Sequence, residues 1–251
     1  MTAQWQKAAV ASDGTHHVVD GEALYDARFL EVLAFHEPGL APVLDASGSY
    51  HIGPTGSPAY PRRFRRTFGF YEGLAAAEDA SGARHVDLHG EEIGNARFSW
   101  CGNFQAGRCA VRNADGLYLH LRPDGAPAYA ERWRYAGDFR EGAAVVLDAL
   151  GLHQHIDAEG RALGTGRFLD LDVFHKGFAR ARDGDGWFHI RRDGGGAYGR
   201  RFAAVEPFYN GQSRCETFDG HLVVIDETGR DLVALRGELA APTPAGRGGR
   251  E

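Results

Sequence analysis

The sequence predicts an all-β protein built from tandem hairpin repeats and closed into a propeller-like ring, with an open β-solenoid as the alternative. Three observations carry this expectation. An Arg-aromatic phrase recurs six times, a glycine-punctuated hairpin phrase recurs seven times, and the segments between turns alternate in polarity as strands do.

The aromatic phrases lead into each unit. They read RFLEVLAFHEPG (28–39), RFRRTFGFYEG (63–73), RFSWCGNFQAG (97–107), RWRYAGDFREG (132–142), RFLDLDVFHKG (167–177) and RFAAVEPFYNG (201–211). Each carries a second aromatic (Phe35, Phe70, Phe104, Phe139, Phe174, Phe208) and a closing glycine, and successive closing glycines are 34 or 35 residues apart. A hairpin phrase follows each lead-in, as in GFARARDGDGWFHIRRDG (177–194), and a seventh copy, KAAVASDGTHHVVDG (7–21), precedes them all. The period alone also suits helical repeats. Glycine in every short segment, and alternation such as Phe178-Ala179-Arg180-Ala181-Arg182, decide for strands. One such unit cannot bury both faces, so neighbours must stack. A chain starting and stopping within a unit suits a ring closed by its first and last pieces. Residues 1–239 are expected to form this single domain, and the Pro/Gly/Arg-rich stretch 240–251 a disordered tail.

The pattern F-x-x-G-x-A followed by G-W/Y-x-H-I resembles the WG-repeat (KWG) family, through Phe174, Gly177, Ala179, Gly186, Trp187, Ile190, Gly194 and their counterparts. The resemblance covers roughly residues 7–236. It implies a bacterial β-repeat scaffold that mediates binding. It also implies a possible biosynthetic context through association with, or fusion to, an enzyme domain such as a methyltransferase. The Trp-Gly pair is missing here, and histidine stands before the aliphatic residue where the family commonly has an aromatic.

Those histidines form a ladder: His17, His51, His85, His120, His155 and His189, with Val224 in the seventh copy. One reading is scaffold, each ring packing on a neighbouring aromatic and capping a carbonyl. The other is a shared metal site, which requires the six side chains to converge, as a ring lined by the relevant strand would allow. Imidazoles without an obligatory thiolate would suit iron, zinc or copper. His153 and His155 share a strand face and form the best local chelate; His85 with His89, and His16 with His17, are weaker.

Positions that vary between units are the better candidates for a ligand. In the fifth lead-in Asp170 and Asp172 alternate on one face and His175 follows the second phenylalanine; Glu206 replaces Asp172 in the sixth. These four are the candidate proton-handling groups. His36, Tyr71, Gln105, Arg140 and Tyr209 match His175 in register and, with Trp100, form a candidate ligand-binding rim. Cys101 lacks any signature that activates a thiolate. The arginines that open the lead-ins are expected to stack on aromatics or pair with turn aspartates.

Bulk properties narrow the partners. The 251 residues are 43% hydrophobic and 25% charged with a net charge of −6, which argues against nucleic acid. No apolar run is long enough to span a bilayer, and the N-terminus has no secretory pattern, so the expected address is the cytoplasm. Three irregularly spaced cysteines make no disulfide framework. The expected function is a binding module for a small molecule or partner protein; the alternative is a His-ligated metal-dependent enzyme acting on a small molecule.

Overall fold

A computed structural model describes residues 4–237. The tail at 240–251 lies outside the described residues. The structure is all-β: seven small antiparallel sheets, each a meander taken in chain order. Sheet 1 holds β1 (Ala9–Val10), β2 (His17–Val19) and β3 (Glu22–Ala23), after a 3-10 turn at Gln4–Lys7. Sheet 2 holds β4 (Glu31–Val32), β5 (Ala41–Asp45) and β6 (Gly48–Ile52). Sheet 3 holds β7 (Arg66–Tyr71), β8 (Leu74–Asp79), β9 (Gly82–Val86) and β10 (Glu92–Phe98). Sheet 4 holds β11 (Trp100–Cys101), β12 (Cys109–Arg112) and β13 (Tyr118–Leu121), and sheet 5 holds β14 (Tyr135–Ala136), β15 (Ala144–Leu147) and β16 (His153–Ile156). Sheet 6 holds β17 (Asp170–Leu171), β18 (Phe178–Asp183) and β19 (Gly186–Arg191). Sheet 7 holds β20 (Ala204–Val205), β21 (Gln212–Glu216), β22 (Leu222–Asp226) and β23 (Asp231–Arg236). The chain divides into two compact units, Met1–Ala149 with Ile156–Arg161, and Leu150–His155 with Ala162–Glu251.

Each lead-in supplies the first strand of its sheet, and the hairpin phrase supplies the next two. In sheets 3 to 7 the joint between them is a two-residue turn with both central residues at positive φ, for example Glu141 at 50° and Gly142 at 75°, whereas in sheet 2 Glu37, Pro38 and Gly39 make the joint between His36 and Leu40. The two-residue form is type I′ geometry, whose twist matches the strands it joins, and glycine at the second position takes it without a Cβ clash. Opposite turns are held by side chains: Asp87 Oδ1 accepts from the backbone of His89 (2.8 Å) and Glu91 (2.9 Å), and Asp157 repeats the arrangement. The sheets pack through small and β-branched residues against the lead-in aromatics. In the first unit, Ala41, Val43 and Ile52 meet Phe70, Ala75, Ala77 and Val86 in one buried cluster. In the second, Phe202, Val205, Phe208, Cys215, Val223 and Ile225 form another.

The lead-in arginines cap and stack. Arg63 Nη1 donates to the carbonyls of Tyr60, Pro61 and Arg62, and its guanidinium lies 3.5 Å from the Tyr50 ring centroid. Arg201 lies 3.4 Å from the Phe188 centroid and pairs with Asp183 at 2.8 Å.

Candidate functional site

The ladder histidines occupy one structural niche six times. Each Nε2 donates to a backbone carbonyl of the next lead-in: Leu33, Phe68, Gly102, Gly137, Asp172 and Glu206 in turn, at 2.7–2.9 Å. A carbonyl can only accept, so the neutral ring carries its proton on Nε2. Each ring also lies on the second aromatic of that lead-in. Centroid distances run from 4.0 Å for His189 on Phe208 to 4.8 Å for His85 on Phe104. At His17, His51, His120 and His189 the remaining lone pair, on Nδ1, accepts from the hydroxyl of Tyr25, Tyr60, Tyr129 or Tyr198. All six rings are buried, and those same four residues are 0% exposed. Burial lowers their pKa below the ordinary histidine value, to about 4 at His51, His120, His155 and His189.

This geometry leaves an ion nothing to bind at the four tyrosine-capped positions, since one nitrogen is protonated and the other lone pair is filled. Among the described residues no group of three or more His, Cys, Asp or Glu side chains is placed to hold a metal ion. Histidine and following lead-in occur together throughout. Val224 is followed in the sequence by neither an Arg-aromatic pair nor a second aromatic. The tyrosines had a signal in the sequence that the ladder alone did not reveal: Tyr25, Tyr60, Tyr129 and Tyr198 each stand three residues before a lead-in arginine.

The acidic candidates are engaged. The Asp172 carboxylate meets Arg180 at 2.5 Å, while its backbone carbonyl receives His155. Glu206 pairs with Arg214, and its carbonyl receives His189. Asp170 Oδ1 accepts from the backbone of Leu171 at 2.9 Å. His175 joins Phe178 through its backbone at the mouth of a type I′ turn. A groove of about 430 Å³ in the second unit runs beside Arg180, Glu206, Arg214, Glu216 and Arg236, and Arg236 pairs with Glu216 at 3.1 Å. The structure therefore places Asp172 and Glu206 in separate carboxylate–guanidinium pairs. The three thiols are buried, and burial pushes Cys101 up to about 12 and Cys215 to about 11.

The rim residues sit where each lead-in enters its turn. His36 and Tyr71 touch, with ring centroids 4.9 Å apart, and Gln105 donates to Asp138 at 3.3 Å. Arg140 bridges Ala143 through its backbone, and Tyr209, 70% exposed, has the Lys176 ammonium 5.0 Å from its ring centroid. Trp100 lies elsewhere. It stands opposite Arg112, which stands opposite Tyr118, so the three form one row across sheet 4. Tyr118 reaches Tyr135 of sheet 5 at 5.6 Å and Trp100 at 6.2 Å. Trp100 folds over Gly102, where a Cβ would come within 2.9 Å of the indole, and Tyr135 folds over Gly137 in the same manner. Trp100 and Tyr135 stay 44% and 47% exposed, so glycine beds hold two aromatic faces toward solvent. The row could be found only from strand register, because its members are far apart in sequence.

No family model matches the chain, and no curated protein matches it. Solved structures resemble it at low identity. The computationally designed Ika8 protein is 15% identical with a TM-score of 0.46, covering 93% of this chain and 84% of its own. BamB from Moraxella catarrhalis is 13% identical with a TM-score of 0.46, covering 91% and 84%. The WD40 beta propeller domain of Doa1 is 13% identical with a TM-score of 0.36, covering 82% and 81%.

Proposed function

We propose that the chain is a non-catalytic, WG-like binding module that presents its variable side chains to a partner protein in the cytoplasm. One observation carries the reading. The ladder histidines, Asp172 and Glu206 are spent on the scaffold, while the row Trp100–Arg112–Tyr118 with Tyr135 keeps two large aromatic faces in water. Exposed Trp and Tyr on rigid sheets, next to an arginine, have the composition of interface anchors. The alternative metal enzyme would require freeing ladder nitrogens from carbonyl and tyrosine partners, at the cost of buried unpaired groups.

The test places a photo-crosslinking amino acid at Tyr135 and, as a control, at Leu150, which is 85% exposed. The expected result in living cells is one discrete adduct from position 135, absent in a Trp100→Ala background and absent from position 150. Equal labelling at both positions, or none at 135, would contradict the reading.

A further inference from the structure

We propose that a pocket between sheets 2 and 3 binds a free amino acid whose side chain is a para-hydroxylated aromatic ring. The site is independent of the Trp100 surface.

The pocket has a volume of about 140 Å³, and Leu33, Pro42, Val43 and Leu44 of sheet 2 give it an apolar wall. A dry cavity of about 150 Å³ takes one benzene molecule, so this space fits a single six-membered ring. Its inner end carries two hydroxyls, those of Ser49 and Thr67, residues 5% and 2% exposed. Ser49 Oγ donates to the Val43 carbonyl at 3.0 Å, which uses its one proton. Thr67 Oγ1 is therefore the donor in the 2.7 Å bond between the two hydroxyls. The Thr67 amide also donates to Ser49 Oγ, at 3.1 Å, and fills it. Thr67 Oγ1 keeps its own acceptor capacity, and a ligand hydroxyl is the group that would use it.

Two other joints between sheets show what this space takes. Ser49 stands two residues before its ladder histidine, and Thr67 four residues after its lead-in arginine. In sheet 4 the first of these positions holds Tyr118, which packs on the cluster containing Ala136, the residue at the second position in sheet 5. In sheet 6 it holds Trp187, which packs on the cluster containing Val205 of sheet 7. Sheet 3 is small at the first position, and its Ala83 is closed into a cluster with Cys101 and Phe98. Sheets 4 and 6 thus insert a ring of their own, whereas sheet 2 has a hydroxymethyl group and leaves the space open. The second position is Val32, Cys101, Ala136, Leu171 or Val205 in the other lead-ins, so Thr67 is the one hydroxyl among six. A hydroxyl set into an otherwise apolar position, with acceptor capacity left over, selects a phenol over a plain ring.

The mouth is charged on both walls. Glu31 stands opposite Leu44, which stands opposite Ser49, so Glu31 lies two strand spacings, about 10 Å, from the inner hydroxyls. Arg66 lines the wall contributed by sheet 3, beside Arg65, which pairs with Glu78 at 3.5 Å. A carboxylate on one wall and a guanidinium on the other complement the ammonium and carboxylate of a free amino acid. The ring then points inward, with its hydroxyl on Thr67.

The test titrates the 15N-labelled full chain with L-tyrosine and, separately, with L-phenylalanine. Saturable amide shifts confined to sheets 2 and 3 are expected with L-tyrosine, and at least tenfold weaker binding with L-phenylalanine. Thr67→Val, which installs the residue that Val32 and Val205 supply at that position, should weaken L-tyrosine at least tenfold and remove the preference. Ser49→Tyr should abolish binding by filling the pocket as Tyr118 fills the matching space. No saturable shifts, equal affinity for the two amino acids, or retained affinity in Thr67→Val would overturn the proposal. Should the variants fail to fold, the wild-type chain decides: equal binding of the two amino acids, or shifts centred outside sheets 2 and 3, counts against it.

Discussion

Each ladder ring joins a buried strand to the next lead-in through one donated bond, one aromatic contact and, in four cases, one accepted bond. Replacing His120 by phenylalanine keeps the contact with Phe139 and strands the Gly137 carbonyl and the Tyr129 hydroxyl. Unpaired buried groups cost about 1–3 kcal/mol each, so His120→Phe should lose about 2–5 kcal/mol in urea unfolding. Tyr129→Phe removes only the donor to Nδ1 and should lose about 1–2 kcal/mol. A loss below about 0.5 kcal/mol for His120→Phe, less than a single ordinary hydrogen bond contributes, would remove the ladder from the list of structural joints. Arg84 makes a second residue-scale case. It stands where Tyr50 and Phe188 stand in sheets 2 and 6, is only 2% exposed, and is neutralised by Asp79 and by Glu92 at 2.6 Å. Glu92 also receives Arg62 and Arg97, so Glu92→Gln leaves Asp79 as the one carboxylate on the buried guanidinium and takes the charge from its three arginine contacts. The expected cost is about 1–3 kcal/mol by denaturant titration, the range for hydrogen bonds to charged groups, and Glu91→Gln, which changes a neighbouring carboxylate, serves as the control.

At the scale of the element, strands and turns were legible because each rests on local chemistry. Alternation marks the strands, and glycine at the second turn position marks the type I′ joints, so Gly142→Ala should cost about 1 kcal/mol or more through strain at positive φ. An unchanged melting temperature for that variant would contradict the turn assignment. The partners of the functional candidates were less legible, because cross-strand register places them. Asp172 and Glu206 look like free carboxylates in sequence, and each meets an arginine eight residues later across a hairpin. Trp100, Tyr118 and Tyr135 carry no common motif, yet register and sheet packing gather them. The Tyr-x-x-Arg spacing was present in the sequence, but its meaning depends on the histidine it reaches in the fold.

For the whole molecule, stability is a sum of joints between neighbouring sheets, and the histidine joints give that sum a pH dependence. The rings at His51, His120, His155 and His189 have folded pKa values near 4, below the ordinary 6.5 of the unfolded chain. The unfolded state therefore binds protons first on acidification. The stabilisation is fully present above about pH 6.5 and is lost as pH falls from there to about 4, so the melting temperature should be flat from about pH 8 to 7 and drop through that window. The measurement that tests the central claim most directly is a long-range 15N–1H correlation spectrum of the histidine rings at about pH 5.5, with and without added zinc. Neutral rings protonated on Nε2 at those four positions, with the tyrosine-capped His51, His120 and His189 unmoved by the metal, are the predicted result. Imidazolium signals at that pH, or nitrogen shifts on adding zinc, would contradict a ladder built to hold the sheets together.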